Sequence, residues 1–377
     1  MNLTKYKLGD LIVQRREKNN NYDVPIRGVS KDGFISPKQQ EADTSIYNVF
    51  YKYDFVFNPA RMELNSIALN LEYDIALCSS LYEVFYVKDN SILLPEFLNL
   101  HIKREEFARH CNYIGLGSAR EYCRFANIAE FDIEVPPIEV QEEIVEADRL
   151  IKKRIRLNNQ MIQHLEATAQ ALYRKTFVDG IDKENLPEGW RMGTLGEVGE
   201  IVGGATPSTE VAEYWSDNDI TWLSPADLSK QGVKFIAKGA KDITLLGFKS
   251  CSTKMLPEHS ILFSSRAPIG LMAINTCEVC TNQGFKSFVP NSEIGYPYAY
   301  YYLLSLRDKI AEENAGSTFD EVSGKTMKDY EAIIPPKELT DKFTTFVTSI
   351  FKQQELKENE NSKLAELQSL LLAKMGQ

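Results

Sequence analysis

The sequence lacks the features of a membrane-bound or exported protein. No apolar run approaches the roughly 18 residues that a membrane-spanning helix needs. The N-terminal stretch MNLTKYKLGDLIVQRR has no apolar segment followed by small residues, so we expect no signal peptide. The 6 cysteines lie at irregular spacings, which fits a reducing compartment better than a disulfide framework. These absences predict a cytoplasmic protein with no membrane contact.

An excess of positive charge is also missing. The 43 Lys and Arg side chains are outnumbered by 53 Asp and Glu side chains, which gives a net charge of −10. Taken alone, this balance argues against nucleic acid as the partner, because phosphate contacts need cations. If the chain binds DNA, we expect locally placed cations or a partner subunit to supply those contacts.

Catalytic and metal-binding patterns are missing as well. Gly115 and Gly117 run into Ser-Ala-Arg and do not form a phosphate-binding loop. Cys277 and Cys280 form a CxxC pair, but a zinc site needs a second pair at suitable spacing. The sequence offers no recognisable set of residues for a nucleophile, an acid–base pair or a metal. We therefore expect no catalytic residues, no metal and no cofactor bound by this chain.

What the sequence does contain is an internal repeat. A segment that starts with Pro136-Pro137 returns 199 residues later from Pro335-Pro336 (335 − 136 = 199), without a gap. Further identical residues at this offset are Glu139/Glu338, Ile151/Ile350, Lys153/Lys352, Leu157/Leu356, Leu165/Leu364, Leu172/Leu371 and Lys175/Lys374. The chain therefore consists of two copies of one plan, a globular domain followed by a long helix.

Each copy ends in a predicted helix, over residues 136–178 and 335–377. A Pro-Pro pair can open a helix, and in the first copy no Gly or Pro follows until Gly180. Apolar residues then alternate by four and three, with Asp148 and Asn158 as polar interruptions, which is typical of a coiled-coil seam. About 40 residues give a rod on the order of 60 Å. Because both helices lie in one chain, we predict an antiparallel intramolecular coiled coil.

The segments before the helices, residues 1–135 and 179–334, are predicted to be mixed, mainly β domains. The second begins with a polar linker that contains Pro and Gly. Apolar and aromatic runs alternate with turn signals over residues 47–57, 66–77, 82–87, 260–265, 271–275 and 285–289. One amphipathic helix is expected in each domain, over residues 96–111 and 299–315. The predicted fold class is α+β, with two such domains joined by the two long helices.

The second half also carries a series of motifs in a defined order. They are LPEGW (186–190), IVGGATPST (201–209), WLSPADL (222–228), FSSRAPIG (263–270), TNQGFKSF (281–288), GST (316–318) and IIPP (333–336). This series, together with the duplicated plan, resembles the specificity subunits of type I restriction–modification systems over essentially the whole chain. The first half matches less well, since it lacks the LPxGW and GGxTPS segments and keeps KLGDLI, Arg61, GLGS and EVPP.

The resemblance implies a DNA-recognition subunit that is not itself an enzyme. Residues 1–135 and 179–334 would be target-recognition domains, each reading one half of a bipartite double-stranded DNA site, and the helices would set the spacer. Two adenine methyltransferase (modification) subunits, which use S-adenosylmethionine, and restriction/translocase subunits would dock on it. Domains on such a rod could reach successive major grooves, about 34–36 Å apart. The adenine would be flipped into the partner's catalytic pocket.

Candidate DNA-binding residues are polar and cationic loop residues, since Arg can hold guanine and Asn or Gln can hold adenine. In the first domain they are Arg15, Arg16, Arg27, Ser30, Asn58, Arg61, Ser79, Ser80, Ser118 and Arg120. In the second domain they are Thr206, Ser208, Thr209, Ser224, Asp227, Arg266, Asn282, Gln283, Lys286, Ser317 and Thr318. A structural role is the alternative for each of them: Gly203-Gly204 can simply permit a tight turn, and Asn282 can cap local backbone.

Two other interpretations stay open at the level of sequence. A coiled-coil scaffold that joins two protein-binding modules, without nucleic acid, is favoured by the charge of −10. An enzyme in its own right would need a cofactor or metal constellation that the sequence does not show. Salt-dependent binding to duplex DNA would separate a specificity subunit from the scaffold.

Overall fold

The structure is a computed structural model that describes residues 3–20, 22–37, 43–114, 122–314 and 321–375. By compactness the chain divides into two units, Met1–Ile155 with Lys363–Gln377, and Arg156–Ser362. Each unit contains one globular domain and a part of each long helix.

The strands of the first unit form two sheets and one separate pair. They are β1 (Thr4–Lys7), β2 (Ile12–Arg15), β3 (Ile26–Ser30), β4 (Gly33–Ile35), β5 (Asn48–Tyr51), β6 (Phe55–Phe57), β7 (Ile67–Leu69), β8 (Ile75–Cys78), β9 (Glu83–Val87) and β10 (Asp132–Val135). The strand orders are β2-β9-β6-β7 and β4-β3-β8-β5, and β1 pairs with β10. Strands β3 and β8 run parallel, whereas β5 and β8 run antiparallel. Aromatic side chains such as Phe55, Phe85 and Phe97 fill the core beneath the first sheet.

The helices that begin in this unit are α1 (Leu8–Leu11), α2 (Pro95–Ile102), α3 (Glu105–Ile114), α4 (Phe125–Ala129) and α5 (Ile138–Phe177). Helix α5 belongs to the first unit up to Ile155 and to the second from Arg156. The single helix predicted over residues 96–111 is wrong, because the chain breaks between α2 and α3. There the N–H groups of Lys103 and Arg104 donate to carbonyls three residues back, at 3.2 and 3.1 Å. This tighter turn ends α2 without any Pro or Gly.

The second unit repeats the plan. Its strands are β11 (Arg191–Thr194), β12 (Gly199–Gly203), β13 (Trp215–Ser216), β14 (Ile220–Leu223), β15 (Phe235–Ile236), β16 (Lys241–Ile243), β17 (Ile261–Phe263), β18 (Met272–Asn275), β19 (Cys280–Thr281), β20 (Lys286–Pro290) and β21 (Glu331–Ile334). Its shorter helices are α6 (Leu195–Val198), α7 (Pro225–Gln231), α8 (Leu245–Ser250), α9 (Gly295–Asn314) and α10 (Gly324–Asp329). The order β12-β20-β17-β18-β15 contains a counterpart of β2-β9-β6-β7, and β11 pairs with β21 as β1 does with β10. The second sheet has the order β13-β16-β14-β19.

The last helix, α11 (Lys337–Lys374), pairs with α5. In the second unit, Gln354 donates to Glu166 at 2.9 Å and Asn158 donates to Asn361 at 2.9 Å, so the two helices run antiparallel. In the first unit, Gln368 donates to Asp148 at 2.6 Å. Asp148 and Asn158, the polar interruptions of the predicted seam, are therefore buried and hydrogen-bonded across the helix pair. These hydrogen bonds offset the cost of burying polar groups. The predicted α+β class with its internal repeat and long helices is confirmed.

Candidate nucleic-acid interface

In the first domain, the turn between β8 and β9, Ser79–Tyr82, separates two surface cavities of about 660 and 470 Å³. Tyr82 lines both of them. The structure brings seven predicted residues together here: Arg27, Asn58, Arg61 and Ser79 in the larger cavity, and Arg15, Arg16 and Ser80 in the smaller one. Ser30 serves a neighbouring turn, where its hydroxyl accepts the N–H of Asp32 at 3.2 Å.

Arg15 is held firmly by its neighbours. Its Nε and Nη2 donate to the two carboxylate oxygens of Asp54 at 2.7 and 3.1 Å. The guanidinium also lies 4.7 Å from the ring centre of Tyr51 and 4.6 Å from that of Tyr86. Asp54 is buried, and this burial raises the pKa of its carboxyl in spite of the ion pair with Arg15. Arg15 is thus a fixed cationic part of the cavity wall, and its guanidinium is not free to turn towards DNA.

Two other predicted cations of this domain, Arg61 and Arg27, are better placed to meet a ligand. Arg61 is exposed, and its side chain forms no hydrogen bond or ion pair with the residues that the structure describes. It lies in a 3-10 helix, Pro59–Leu64, that begins where Asn58 accepts the N–H of Ala60 at 3.1 Å. Arg27 is partly engaged, since its Nε donates to the hydroxyl of Tyr73 at 2.8 Å.

Two cations of the smaller cavity, Lys18 and Arg124, were missed by sequence reasoning. The Arg124 side chain is 61% exposed, and its Nη1 lies 3.2 Å from Glu83 Oε1. Neither residue belongs to a motif, so only the fold reveals that they lie beside Arg15. The local cations expected of a DNA-binding chain with a net negative charge are present in this domain.

In the second domain, the Gly204–Thr206 loop lies against the turn between β19 and β20. The hydroxyl of Thr206 donates to Gln283 Oε1, and the N–H of Ala205 donates to the carbonyl of Thr281 at 2.9 Å. A Cβ atom on Gly204 would lie 2.1 Å from the carbonyl oxygen of Asn282, so the close approach requires glycine. Farther along the loop, the predicted residues Ser208 and Thr209 are exposed.

Some predicted residues of this domain serve the fold. Asp227 is 7% exposed and accepts the N–H and hydroxyl of Ser224 on one oxygen, at 2.8 and 2.7 Å. Its other oxygen accepts the N–H of Ala240 at 2.8 Å. Because both oxygens cap backbone, we exclude Asp227 from the candidate interface. Asn282 has a similar capping role, since its Oδ1 accepts the N–H of Gly284 at 2.8 Å.

Arg266 and Lys286 meet at one carboxylate, that of Glu321. Arg266 Nη2 lies 2.8 Å from Glu321 Oε2, and Lys286 Nζ lies 3.0 Å from Oε1. Burial alone would raise the pKa of Glu321, but the hydrogen bonds and charges of the two cations outweigh it and the pKa is lowered. The cluster keeps a net positive charge, and Arg266 remains 49% exposed, so it can still contact a ligand.

The same type of turn follows β8 in the first domain and β19 in the second. The N–H of Tyr82 donates to the carbonyl of Ser79 (3.0 Å), as the N–H of Phe285 does to that of Asn282 (3.3 Å). In each domain the residue directly after this turn forms an ion pair, but its charge differs. It is the acidic Glu83, paired with Arg124, in the first domain and the basic Lys286, paired with Glu321, in the second. The same backbone thus presents different side chains in the two domains.

Four predicted DNA-binding residues cannot be placed in the fold. The predicted residues Ser118, Arg120, Ser317 and Thr318 lie outside the described residues. Within the described ranges, no cluster of His, Cys, Asp and Glu could hold a metal ion, and no helix has the length and apolar character to cross a membrane. The thiols of the CxxC pair have different partners, the carbonyl of Ala237 at 3.3 Å and the sulfur of Met255 at 3.9 Å.

The duplicated domain also matches a known protein family. The family described as type I restriction modification DNA specificity domain matches the chain twice, over residues 3–167 and 187–366. The chain belongs to this family. Its two specificity domains coincide with the two copies of the repeat, so the resemblance read from the sequence motifs is confirmed. The expected class, a DNA-specificity component and not a catalytic subunit, is confirmed with it.

Individual relatives of this specificity-domain chain align over different lengths. The type I restriction enzyme MjaIX specificity subunit of Methanocaldococcus jannaschii is 34% identical over 188 residues, which cover 49% of this chain and 43% of that protein. The HindI specificity subunit of Haemophilus influenzae is 24% identical over 357 residues, which cover 76% and 77%. The solved S subunit of a type I restriction-modification system from M. genitalium shares the fold, with a TM-score of 0.66, 15% identity and coverage of 99% and 96%.

Proposed function

We propose that this chain reads a bipartite site in double-stranded DNA, one half-site per specificity domain, with the long helices setting the spacer. The observation that carries the proposal is the presence of two DNA specificity domains in one chain, each with polar and cationic loops around the same turn. Different side chains on that turn support different half-site sequences. The net charge of −10 fits a complex in which partner subunits supply many phosphate contacts.

The partners in this proposal are two adenine methyltransferase (modification) subunits, which bind S-adenosylmethionine, and restriction/translocase subunits that join the complex in the cytoplasm. An apolar groove between α5 and α11 in the second unit supports docking on the long helices. The groove has a volume of about 280 Å³ and is lined by Leu172, Thr176, Leu339, Lys342, Phe343 and Phe346. Phe346 is 57% exposed, so a large apolar side chain of the groove faces solvent and is available to a partner.

The decisive test is a map of methylated adenines. The chain is co-expressed with its modification subunit in a host without adenine methylation, and modified bases are read by single-molecule sequencing. We expect a split motif with a fixed gap that disappears when this chain is omitted. No new methylation, with a modification subunit shown to be active beside another specificity subunit, would refute the proposal in favour of a protein scaffold.

The docking part has its own test. Phe346→Asp places a charge in the apolar groove, and we expect recovery of the modification subunit in affinity purification to fall about tenfold. Leu246→Asp on α8 is the matched control, since Leu246 is 59% exposed and lies outside the groove. Equal recovery with both variants would remove the groove from the docking surface.

A further inference from the structure

Leu81, in the turn between β8 and β9, is the most exposed large apolar side chain of the described residues, at 77%. The turn that carries it is well fixed. The N–H of Leu81 donates to the hydroxyl of Ser79 at 3.3 Å, and the amide of Asn48 donates to the carbonyl of Tyr82 at 2.7 Å. The backbone therefore holds an apolar side chain outward in a defined position.

The surroundings of Leu81 are cationic. Leu81 and Ser79 line the larger cavity with Arg27 and Arg61, whereas the adjacent Ser80 lines the smaller cavity. The smaller cavity also contains Arg15, Arg16, Lys18 and Arg124. Proteins that bind DNA use cations to hold phosphates and apolar side chains to contact base edges or steps. An exposed leucine between two groups of cations matches that division of roles.

The fold itself does not require a leucine at this place. In the second domain the corresponding position is Gly284, and the turn keeps the same two hydrogen bonds: Gly284 N–H to Asn282 Oδ1 (2.8 Å) and Phe285 N–H to the Asn282 carbonyl (3.3 Å). Since most of its surface stays in water, Leu81 gains little from burial within the chain. Its exposure in one domain and its absence from the other fit a residue used to tell half-sites apart.

We propose that Leu81 is a specificity-determining residue of the first domain, which enters a DNA groove between the two cationic cavities and packs against the bases of that domain's half-site. This inference rests on the proposed function. It adds a base contact to the polar and cationic residues of the candidate interface.

The test measures DNA binding by the full chain assembled with its modification subunits. Affinities are compared for the duplex that carries the methylated motif and for a duplex with the first domain's half-site scrambled. We expect Leu81→Ala to lower the ratio of the two affinities about tenfold, the scale of one lost base contact. The slope of log affinity against log salt should stay unchanged, because no charge is removed. Discrimination against a scrambled second half-site should also stay unchanged.

Two further variants make the result specific. Leu81→Met keeps an apolar side chain of similar size and should restore most of the ratio. Leu71→Ala, which shortens a leucine that is 48% exposed and outside both cavities, should leave it at the wild-type value. A wild-type ratio for Leu81→Ala would overturn the inference alone. A wild-type complex that binds both duplexes equally would instead overturn the proposed function.

Discussion

Arg266 presents only part of its guanidinium to a ligand, because its Nε and Nη2 face Glu321. We expect Arg266→Ala to slow methylation about tenfold at sites that carry the second domain's half-site, and to lower the salt slope of binding by about one. The fold should survive, since the side chain is half exposed. Lys254→Ala is the control, because Lys254 is 65% exposed in a loose ion pair of 3.5 Å. Unchanged target preference and rate in the Arg266 variant would contradict its assignment to the interface.

The burial of His101 makes the stability of the fold depend on pH. The ring is 4% exposed, its centre lies 6.0 Å from that of Phe131, and its Nε2 lies 3.1 Å from Arg104 Nη1. Burial and then the Arg104 charge lower the pKa of His101 from 6.5 to about 4. Between these values the unfolded chain binds the proton more readily. Stability is therefore lost as pH falls through this window, by up to about 3 kcal/mol.

A variant without the imidazole should lose this pH dependence. We expect the free energy of unfolding of His101→Gln, measured by urea denaturation, to change less between pH 6.5 and 4 than that of the wild type. His164→Gln, which alters an exposed histidine on α5, should keep the wild-type slope. Identical slopes for all three proteins would show that His101 is not protonated on unfolding.

At the scale of elements, a lysine that directly precedes β15 contacts both long helices within the second unit, and its side chain is only 9% exposed. Lys234 forms an ion pair with Glu166 of α5, and its Nζ lies 3.3 Å from Gln354 Oε1 of α11. Glu358 of α11 accepts the backbone N–H of Lys234 at 3.1 Å. Burial lowers the pKa of Lys234. Burial alone would raise the pKa of Glu166, but the Lys234 charge and the Gln354 hydrogen bond lower it.

This cluster should behave as a unit in mutagenesis. Lys234→Met leaves the Glu166 carboxylate without its cation in a poorly hydrated place, and we expect a loss of about 3 kcal/mol in the free energy of unfolding. Adding Glu166→Gln should recover a large part of that loss, because the unpaired charge is then gone. Urea denaturation of both single variants and the double variant measures the coupling. Additive effects would show that the two side chains do not stabilise each other.

The sequence predicts elements best where one periodicity dominates. The apolar and aromatic runs between turn signals predict β9 and β18 nearly to the residue, and the heptad seam predicts α5. The break between α2 and α3 has no Pro or Gly to announce it. The buried cation Lys234 and the capping role of Asp227 also escape sequence reasoning, because Lys and Asp are ordinarily surface residues and their partners are distant in the chain. The interface is predictable as loops, but not as the particular cavities that Arg124 and Leu81 join.

At the scale of the whole molecule, the repeat gives each specificity domain a part of both long helices. Helix α5 supplies residues up to Ile155 to the first unit and those from Arg156 to the second, and α11 divides between Ser362 and Lys363. A change in helix length at these two places therefore falls on the boundary between the two units and alters neither recognition surface. The spacer of the DNA site should depend on this length.

We expect that one extra heptad in each helix, inserted after Ile155 and after Ser362, lengthens the spacer and leaves both half-site sequences as they were. A heptad preserves the seam and adds about 10 Å, which corresponds to up to roughly three base pairs. Methylated-adenine mapping of the variant complex measures the gap directly. An insertion in α5 alone is the control, and it should abolish methylation because Asn158–Asn361 and Asp148–Gln368 can no longer both pair. An active double-insertion complex with the original gap would mean that the helices do not set the spacing, and the distance between half-sites would then have to be fixed by the partner subunits.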